Sequence, residues 1–322
     1  MTTDKKSFET FTFSGMALDP IHVGTGGTRL GRVDNTIVRD PVTKIPKIPG
    51  SSLAGVMRAY TAMAKGKYPT CAGLGQPEHG GAGGHCGQAD CPVCTVFGFA
   101  RGKDSDGGFA GLAGFSDMHV LLFPVASQLG PQWVTSPGAM RFAGADISIT
   151  NENAVYQGAG SDHLLNLGWL MLSVENHDKW DSLKTKLNEL KLPDYMKSKV
   201  LLVSDKLFAH IVNSNLEVRT SVAIDPATGS AVEGALFTYE ALPRGTVLVW
   251  EMTCRNPKHF KINGNDVTAV ESPEKVRDVV ADAHPYLENF GIGGMGSRGM
   301  GRLHVLQSKE PADEDKSGKE VS

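Results

Sequence analysis

Four of the five cysteines in this chain lie in one glycine- and histidine-rich segment, and their spacing favours a metal site. The four are Cys71, Cys86, Cys91 and Cys94. Cys91 and Cys94 form a C-x-x-C motif, whose short turn directs two thiolates towards one centre. Soft thiolate ligands in a tetrahedral arrangement suit zinc, and a structural zinc site needs four ligands. Cys71 can complete the set, with His79 or His85 as alternatives; His85 is less favoured because adjacent residues rarely bind one ion together.

Two other chemistries use a C-x-x-C motif, a disulfide and a thioredoxin-like redox pair. The first residues do not form a secretory signal, so we do not expect the oxidising compartment in which disulfides persist. A redox motif opens a helix after a strand, whereas this motif leads into the apolar run Val-Phe-Gly-Phe at 96–99. We therefore predict structural zinc, which fastens a segment at 66–98 that is too polar and glycine-rich to fold unaided.

Asp34 is the candidate catalytic carboxylate. It follows a glycine-rich loop at 24–31 and lies between Arg32 and Arg39. A carboxylate in this setting can bind a divalent ion or orient a ribose hydroxyl, although a lone aspartate in a loop is more often a turn former or a surface charge. His22 lies just before the loop, where a ring can stack on a base or contact a phosphate, and where most histidines are structural or exposed.

Two glycine clusters, at 24–31 and 291–301, can offer backbone amides to a phosphate. Neither fits a Walker loop, which needs lysine and then serine or threonine after its last glycine, nor a dinucleotide fingerprint between a strand and a helix. Arg298 and Arg302 flank the second cluster and supply local positive charge. Both clusters are therefore better candidates for binding a phosphodiester than a nucleotide cofactor.

A predicted helix that begins at Ser51 and Ser52 is a further anion site. Its free N–H groups and positive dipole end favour a phosphate, and Arg58 lies two turns on. Taken alone, Ser51 is more simply explained as an N-cap. One face of this helix is apolar and includes Leu53, Val56, Met57 and Tyr60.

The length and net charge of the chain limit the class of protein that can carry these candidate residues. With 322 residues the chain can bury a large core, and its net charge of −3 provides no global basic field for nucleic acid. Any RNA contact must therefore come from a local patch. No apolar run reaches transmembrane length, so we expect a cytoplasmic protein with no membrane contact.

Apolar patterning predicts strands that alternate with single helices, which indicates an α+β architecture. Strands are expected at 7–16, 33–38, 111–125, 246–253 and 303–306, with a long β-hairpin at 218–224 and 235–240. Three helices are expected: one that begins at 51, one that ends at 212 and one over 272–289. Pro285 should break or kink the last of these helices.

In their order along the chain, these landmarks resemble the RAMP-type backbone subunits of type III CRISPR effector complexes. The stretches that carry the resemblance are His22–Gly24, Asp34–Asp40, Ile48–Leu53, Cys86–Gly98 and Gly293–Gly299. The stretches that look most like the Cmr branch are Leu122–Ala126, Trp133–Pro137, Val218–Thr220 and Glu233–Phe237. The Ser-Arg-Gly form of the last glycine loop and the cysteine motif look more like the Csm branch.

The resemblance implies a single RAMP domain over 1–307 with an RRM-like (ferredoxin-like) α+β core. It also implies helical insertions, a zinc-stapled loop at 66–98 and a thumb β-hairpin at about 216–242 that wedges between guide and target RNA. Such a wedge flips a target nucleotide at regular intervals. The remaining residues, 308–322, are expected to form a disordered charged tail.

The resemblance also implies roles for individual residues. Asp34 matches the family's catalytic aspartate, and His22 matches its guide-contacting histidine. The implied RNA-binding residues are His22, Gly24, Arg39, Ser51, Ser52, Arg58, Arg219, Gly294, Ser297 and Arg298. Ala54 replaces the lysine of the family's Ser-Ser-Leu-Lys-Gly motif, so that phosphate contact would need Arg58 or Lys47 instead.

The implied function is cleavage of complementary target RNA. Asp34, directly or through Mg²⁺ or Mn²⁺, would help deprotonate or position a 2′-hydroxyl, giving 2′,3′-cyclic phosphate and 5′-hydroxyl ends. The implied partners are CRISPR RNA, target RNA, further copies of the chain in a helical filament and other type III effector subunits. The alternative is a non-catalytic guide-RNA scaffold subunit. A metabolic zinc enzyme is not favoured, since no H-E-x-x-H or similar ligand set occurs.

Overall fold

The computed structural model describes residues 6–26, 33–73, 84–100, 107–158 and 163–309. The strands in these ranges are β1 Phe8–Ala17, β2 Lys47–Ile48, β3 Ala113–Phe115, β4 Met118–Val125, β5 Gln132–Thr135, β6 Ala154–Gln157, β7 Leu164–Leu167, β8 Leu170–Asn176, β9 Val200–Leu202, β10 Glu217–Ile224, β11 Ala231–Ala241, β12 Val247–Arg255, β13 Lys261–Ile262, β14 Asn265–Asp266 and β15 Leu303–Lys309. The helices are α1 Gly50–Ala64, α2 Pro92–Phe97, α3 Pro137–Phe142, α4 Trp180–Glu189, α5 Asp194–Lys197, α6 Asp205–Ser214, α7 Pro273–Ala281 and α8 His284–Phe290.

One large mixed sheet forms the framework, in the order β15-β1-β12-β4-β5-β9-β6-β8-β7, with β2 added to β4 and β3 to β12. The strands β15, β1, β12 and β4 are each antiparallel to their neighbours in this order. Helix α1 lies between β1 and β4 in the chain, and α7 and α8 lie between β12 and β15. The mixed α and β architecture expected from the sequence is therefore confirmed.

The first core lies between these four strands and helices α1, α2, α7 and α8, and it continues to α6. Phe11 and Phe13 of β1 are both buried, and Phe13 stacks on Trp250 of β12 with ring centroids 5.6 Å apart. Leu53 and Met57, one turn apart on α1, are also buried. Alternate strand residues share a face and i, i+4 helical residues share a stripe, so the predicted periodicities account for this core.

The start of α1 differs from the prediction that Ser51 is its N-cap. Pro49 occupies the N-cap position, and Ser51 is the second residue of the helix. The amide of Gly50 donates instead to Oδ1 of Asp117 at 2.8 Å. A Cβ at position 50 would lie 2.6 Å from the carbonyl oxygen of Phe115, so glycine is required where the helix starts this close to β3.

Strands β10 and β11 form a separate two-stranded hairpin, so the predicted hairpin is present. A backbone bridge between Asn35 and Tyr239 is one of the contacts that hold its base. Its distal part leaves apolar side chains exposed, and these include Val222, Ile224, Val232 and Leu236. The hairpin is therefore anchored at one end and projects from the large sheet at the other.

A second core, which the sequence patterning did not predict, lies between residues 132–202 and the strands β4 and β12. Strand β5 pairs in parallel with β9, and β6 in parallel with β8. Trp133, Tyr156 and Leu183 belong to the buried cluster beside these strands. Strands β5, β6 and β9 have three or four residues, which is too few to display a periodic pattern; β8 has seven residues, so its length does not explain why it was missed.

The C-terminal region confirms one prediction and corrects another. The helix expected over 272–289 is interrupted just before Pro285, as predicted, and forms two helices, α7 and α8; Pro285 lies in the first turn of α8, where its missing N–H costs no hydrogen bond. Strand β15 continues to Lys309, so 308 and 309 belong to a strand rather than to a disordered tail, and 310–322 lie outside the described residues. Among the helices of the described ranges, none combines the length and apolar character needed to cross a bilayer.

Candidate functional site

Asp34 is held at the base of the hairpin by Thr238 of β11. The amide and the hydroxyl of Thr238 donate to Oδ2 of Asp34 at 2.8 and 2.9 Å. The Asp34 amide donates in return to Oγ1 of Thr238 at 3.1 Å, and the Asn35 amide donates to the Thr238 carbonyl at 3.0 Å. Asp34 and Thr238 are 204 positions apart in sequence, so the hairpin determines where the carboxylate lies.

The same hydrogen bonds lower the pKa of Asp34 below its ordinary value, first through the amide of Thr238 and then through its hydroxyl. The carboxylate is therefore ionised at neutral pH. Within the described ranges no other residue donates to its second oxygen, Oδ1, and the side chain is only partly buried. A carboxylate with one oxygen anchored and the other available can accept a proton without losing its position.

His22 lies between β11 and the second glycine cluster. Its Nδ1 is 2.6 Å from the carbonyl oxygen of Glu240, so Nδ1 must donate, and its ring packs edge-on against Tyr239. Its own carbonyl accepts from the amide of Gly294 at 2.9 Å. In the neutral ring Nε2 is then the acceptor, and it lies 3.0 Å from the point where a Cβ on Gly24 would be. His22 thus joins three segments of the site.

The second glycine cluster requires glycine where it passes His22. Gly293 has a φ of +91°, and a Cβ there would lie 2.3 Å from the His22 carbonyl oxygen. Beyond it Gly294, Ser297 and Arg298 are exposed. No acidic side chain in the described part of the chain pairs with Arg298. The loop therefore presents backbone and one available guanidinium to solvent beside His22.

Arg39, predicted to bind RNA, makes its contacts inside the protein. Its guanidinium donates to Oε2 of Glu240 at 2.8 Å, to Oδ1 of Asn213 at 3.0 Å and to the Ile37 carbonyl at 3.0 Å. The side chains of Arg39 and Glu240 are 23% and 14% exposed. All three guanidinium nitrogens therefore have protein acceptors, and Arg39 fastens its segment to β11 and α6.

The two cations considered for the start of α1 both have partners within the protein. Ser51 and Ser52 lie in the first turn of the helix, with Ser51 exposed. Lys47, considered as a replacement for the family's lysine, donates to Oδ2 of Asp117 at 2.6 Å. Arg58, the other replacement and a predicted RNA-binding residue, contacts the cysteine segment through the Cys71 carbonyl at 2.8 Å. A phosphate at the helix start would have to compete for either cation.

Two further arginines each have an acidic neighbour. Arg219 of β10 donates from Nε to Oε1 of Glu217 at 2.6 Å. Arg302 donates from Nε and Nη2 to the carboxylate of Asp19, and this contact lowers the pKa of Asp19. A phosphate would have to compete with these carboxylates, so both arginines are weaker anion sites than Arg298.

The four cysteine sulfurs of the predicted metal site converge on one point. The Sγ atoms of Cys71, Cys86, Cys91 and Cys94 all lie within 4.8 Å of one another. Their hydrogen-bonded separations are 3.6, 3.6 and 3.9 Å. A tetrahedral ion with Zn–S bonds of about 2.3 Å places its sulfurs about 3.8 Å apart. All five cysteines are free thiols, so this arrangement fits a four-thiolate site for a metal such as zinc and not a disulfide.

Cys71 is the fourth thiol of this cluster, and the histidine alternatives are not needed. Nδ1 of His85 accepts instead from Nη2 of Arg58 at 2.8 Å, and His79 lies outside the described residues. Cys91 is the N-cap of α2, so the C-x-x-C motif does open a helix, and our argument against a redox pair on that ground was wrong. The convergence of four thiols still favours a metal site over a redox pair, because a redox pair needs only two thiols.

The cluster contains one easily ionised thiol. Hydrogen bonding from the Cys94 thiol and amide lowers the pKa of Cys91 to about 5, as is usual at a helix N-terminus. Burial raises the pKa of Cys86 to about 11, and the contact with Cys91 raises the pKa of Cys94. One negative charge therefore suppresses ionisation of its neighbours, and a bound cation would relieve this repulsion.

A partly buried cation already lies against the cluster. Burial lowers the pKa of Arg58, and the negative potential of the four cysteines acts in the opposite direction. His85, held by Arg58, is buried as well, and burial lowers its pKa. The Arg58 guanidinium can therefore offset the charge of thiolates bound to a metal, while its two hydrogen bonds connect α1 to the cysteine segment.

The structure gathers some of the predicted site residues and separates others. Asp34, His22, Gly24 and Gly294 meet around the hairpin base, whereas Arg58 belongs to the cysteine cluster. Thr238 and Glu240, which orient this base, were not identified from the sequence. Strand threonines and glutamates are common, and only the pairing of β11 with the segment at 33–39 gives them a role.

Residues 16–304 of the chain match the RAMP superfamily. The CRISPR system Cmr endoribonuclease Cmr4 of Pyrococcus furiosus is 24% identical over 249 residues, which cover 71% of this chain and 76% of that protein. The CRISPR system Cms endoribonuclease Csm3 of Methanothermobacter thermautotrophicus is 34% identical over 90 residues, 27% of this chain. That alignment spans about a third, 32%, of the Csm3 relative.

A chain in the type III-B Cmr-beta complex bound to cognate target RNA has a similar fold. The TM-score is 0.62, and the match covers 94% of this chain and 98% of that chain. The sequence identity is 14%, so this similarity shows the fold alone. Since the superfamily match extends over most of the sequence, and in agreement with the landmarks read from it, this chain belongs to the RAMP superfamily.

Proposed function

We propose that this protein is a guide-RNA-binding backbone subunit of a type III CRISPR effector complex that cleaves complementary target RNA. Relatives named as Cmr and Csm endoribonucleases support this class of activity. The similar fold found in an RNA-bound Cmr complex supports RNA and other effector subunits as partners. CRISPR RNA, target RNA and further copies of the chain in a filament complete the proposed set of partners.

The observation that carries the proposed cleavage is the geometry of Asp34. Its carboxylate is ionised and anchored through Oδ2, and no other described residue donates to Oδ1. A general base must come within hydrogen-bond reach of the proton it removes, so a fixed and available oxygen is what this role requires. The hairpin that anchors it projects from the sheet, in keeping with a thumb that distorts bound RNA.

In the proposed reaction the 2′-hydroxyl beside the scissile phosphate is the nucleophile. Oδ1 of Asp34 accepts its proton while the O2′–P bond forms and the P–O5′ bond breaks. The leaving 5′ oxygen takes a proton from water, and the products carry a 2′,3′-cyclic phosphate and a 5′-hydroxyl. DNA lacks the attacking hydroxyl and should not be cleaved.

The Mg²⁺ or Mn²⁺ expected from the family resemblance has little support from the protein ligands. Among the described residues no group of three acidic, histidine or cysteine ligands forms around Asp34. A single carboxylate can bind such an ion only with water and phosphate oxygens as its other ligands. The reaction above therefore uses the carboxylate alone.

The order of the first four strands of the sheet supports an RRM-like core. In chain order β15, β1, β12 and β4 are the fourth, first, third and second strands of a β-α-β-β-α-β unit. The crossovers through α1 and through α7 and α8 are those of a ferredoxin-like fold. In this framework the guide backbone is bound at Gly24, the second glycine cluster and Arg298.

We also propose that the four cysteines hold a structural zinc ion. Cys71 and Cys91 pack with Ala62 of α1 in a small core of their own, so an ion here would fasten the cysteine segment to that helix. A fully cysteine-ligated ion has no open position for a substrate, and its role is therefore to stabilise the fold.

A non-catalytic scaffold is the second candidate function. The observation that favours it is again Asp34, because its bonds to Thr238 could serve only to shape the loop at the hairpin base. In that case the carboxylate charge is dispensable as long as its hydrogen bonds are kept.

The substitution Asp34→Asn separates the two functions. Asparagine keeps an oxygen that can accept from Thr238 but cannot act as a base. Reconstituted with guide RNA, the variant should bind target RNA like the wild type and cleave it at least about 100-fold more slowly. Asp194→Asn, a change at an exposed carboxylate outside the site, is the matched control. Cleavage by Asp34→Asn at the wild-type rate would exclude Asp34 as the base, and wild-type protein that binds guide and target RNA without cleaving would support the scaffold role.

A further inference from the structure

A cavity away from the hairpin base lies between the loop at 40–46, β4, α3 and α6. Its volume is about 600 Å³. Ligand sites commonly enclose about 300–1,000 Å³, so a group as large as a nucleotide fits. Ile45, Pro46 and Phe208 contribute to a largely apolar lining. The proposed RNA cleavage gives this cavity no role.

Two stacked rings form part of the cavity wall. His119 and Phe142 lie with ring centroids 3.9 Å apart and an interplanar angle of 6°. Phe142 remains 48% exposed, so part of its ring is open to a ligand. Burial lowers the pKa of His119, which keeps its ring neutral at pH 7. Flat rings with one accessible face are the platforms on which nucleic-acid bases stack.

Two cations of the cavity lining can contact a ligand phosphate. Lys206 forms no ion pair within the described ranges, and Arg141 has only a 3.9 Å contact with the exposed Asp146. The lining also contains two carboxylates, Asp40 and Asp205, which balance this charge; both accept hydrogen bonds from backbone amides, and Asp40 lies 4.0 Å from Lys47. The two cations therefore have fewer partners within the protein than the two carboxylates have.

The cavity is connected to the hairpin base through the segment that follows Asp34. Asn213 of α6 accepts from Arg39 and donates to the Lys44 carbonyl, which ties the segment leading from Asp34 to the helix that lines the cavity. Lys47 of β2 pairs with His119 of β4. The chain that carries the proposed catalytic carboxylate thus continues directly into the cavity wall.

We propose that this cavity binds the base of a nucleotide, stacked on the Phe142–His119 pair, with Lys206 and Arg141 contacting its phosphate. The inference rests on the proposed RNA-binding function and adds a base-binding position to it. The same chemistry is offered by a base of bound single-stranded RNA and by a free mononucleotide. An apolar side chain from a protein partner is the competing occupant.

Binding of a fluorescently labelled oligoribonucleotide to Phe142→Ala, Phe142→Tyr and wild type tests the proposal. We expect Phe142→Ala to weaken binding about tenfold, because stacking on one aromatic ring is lost. Phe142→Tyr keeps the ring and should bind within about twofold of wild type. Tyr195→Ala removes an exposed ring outside the cavity and should have no effect. Melting temperatures show whether each variant is folded. If Phe142→Ala unfolds, Lys206→Gln takes its place, and we expect it to bind the oligoribonucleotide about threefold more weakly than wild type.

A second measurement identifies the source of the base. AMP is titrated into each protein, and RNA carrying 4-thiouridine is photo-crosslinked and mapped by mass spectrometry. Phe142-dependent AMP binding supports a free nucleotide, and Phe142-dependent crosslinks to α3 support a base of RNA. If neither AMP nor RNA binding depends on Phe142 or Lys206, or if a protein partner occupies the cavity, the proposal is overturned.

These outcomes are distinct from failure of the proposed function. Wild-type protein that binds no RNA would refute that function. The AMP titration alone would then show whether the cavity binds a nucleotide base. If RNA binding is normal and cleavage depends on Asp34, but neither Phe142→Ala nor Lys206→Gln has an effect, the proposed base-binding role of the cavity is refuted and the proposed function stands.

Discussion

Thr238 donates both its amide and its hydroxyl to the same carboxylate oxygen of Asp34. The position of the proposed base is therefore coupled to the hairpin that is proposed to distort RNA. A carboxylate on an unsupported loop would lose this alignment, since general-base catalysis depends on hydrogen-bond reach. A change in the hairpin base should therefore alter the carboxylate as well.

The substitution Thr238→Val should impair cleavage while RNA binding is retained. It removes the hydroxyl donor and leaves the backbone amide, so the pKa of Asp34 should rise towards its ordinary value. In a pH–rate profile the acidic limb should move to higher pH, because the carboxylate is protonated sooner as the pH falls. The rate at neutral pH should fall by less than in Asp34→Asn.

Thr238→Ser is the matched control, since serine keeps both donors. It should show the wild-type profile. An unchanged acidic limb in Thr238→Val, together with wild-type cleavage, would mean that the hydroxyl has no part in orienting the carboxylate.

The cysteine cluster should bind one zinc ion per chain. Cys71→Ser removes a ligand contributed from well before the C-x-x-C motif, and we expect it to lose zinc in elemental analysis. Since binding of a structural ion contributes to folding, its melting temperature should fall by at least about 5 °C. Cys254→Ala, at a buried cysteine outside the cluster, should keep the zinc. Full zinc content in Cys71→Ser would exclude Cys71 as a ligand.

Arg58 should strengthen zinc binding without touching the ion. Arg58→Ala removes the cation beside the sulfurs and both of its hydrogen bonds, so competition with a chromophoric chelator should show about 10–100-fold weaker affinity. Arg58→Lys keeps the positive charge but loses the planar guanidinium group, so its zinc affinity should lie between those of Arg58→Ala and wild type. Arg298→Ala, at an exposed arginine of the second glycine cluster, is the control. Equal affinity of Arg58→Ala and wild type would contradict this role.

Gly293→Ala should destabilise the site. Its positive φ and the 2.3 Å approach of a Cβ to the His22 carbonyl predict a loss of about 2 kcal/mol or more in the free energy of unfolding. Gly296→Ala, where the nearest atom to a Cβ is 3.5 Å away, should cost less than about 1 kcal/mol. Denaturant titrations of the two variants measure the difference. Equal stability would show that the loop can move away from His22.

Local patterns in the sequence predicted much of the framework, because they report interactions between near neighbours. The spacing of Leu53 and Met57 predicted a helix face, and the turn between β10 and β11 predicted a hairpin. The residue types of Cys91 and Cys94 likewise predicted soft metal ligands. Four of the strands at 132–202, β5, β6, β7 and β9, were missed because three or four residues are too few to establish a period, whereas β8 has seven residues and was missed all the same.

What the sequence by itself determined is the chemistry that is available: thiolates in one segment, a carboxylate after a glycine loop, and glycines where only glycine fits. Tertiary structure alone decided which of these groups meet. Arg39 and Arg58 read as free cations in the sequence, yet each is bound by acceptors distant in the chain. Thr238 had no signal at all, since its role exists only when β11 lies beside Asp34. Contacts across such separations depend on how the sheet is assembled, and no local pattern records that.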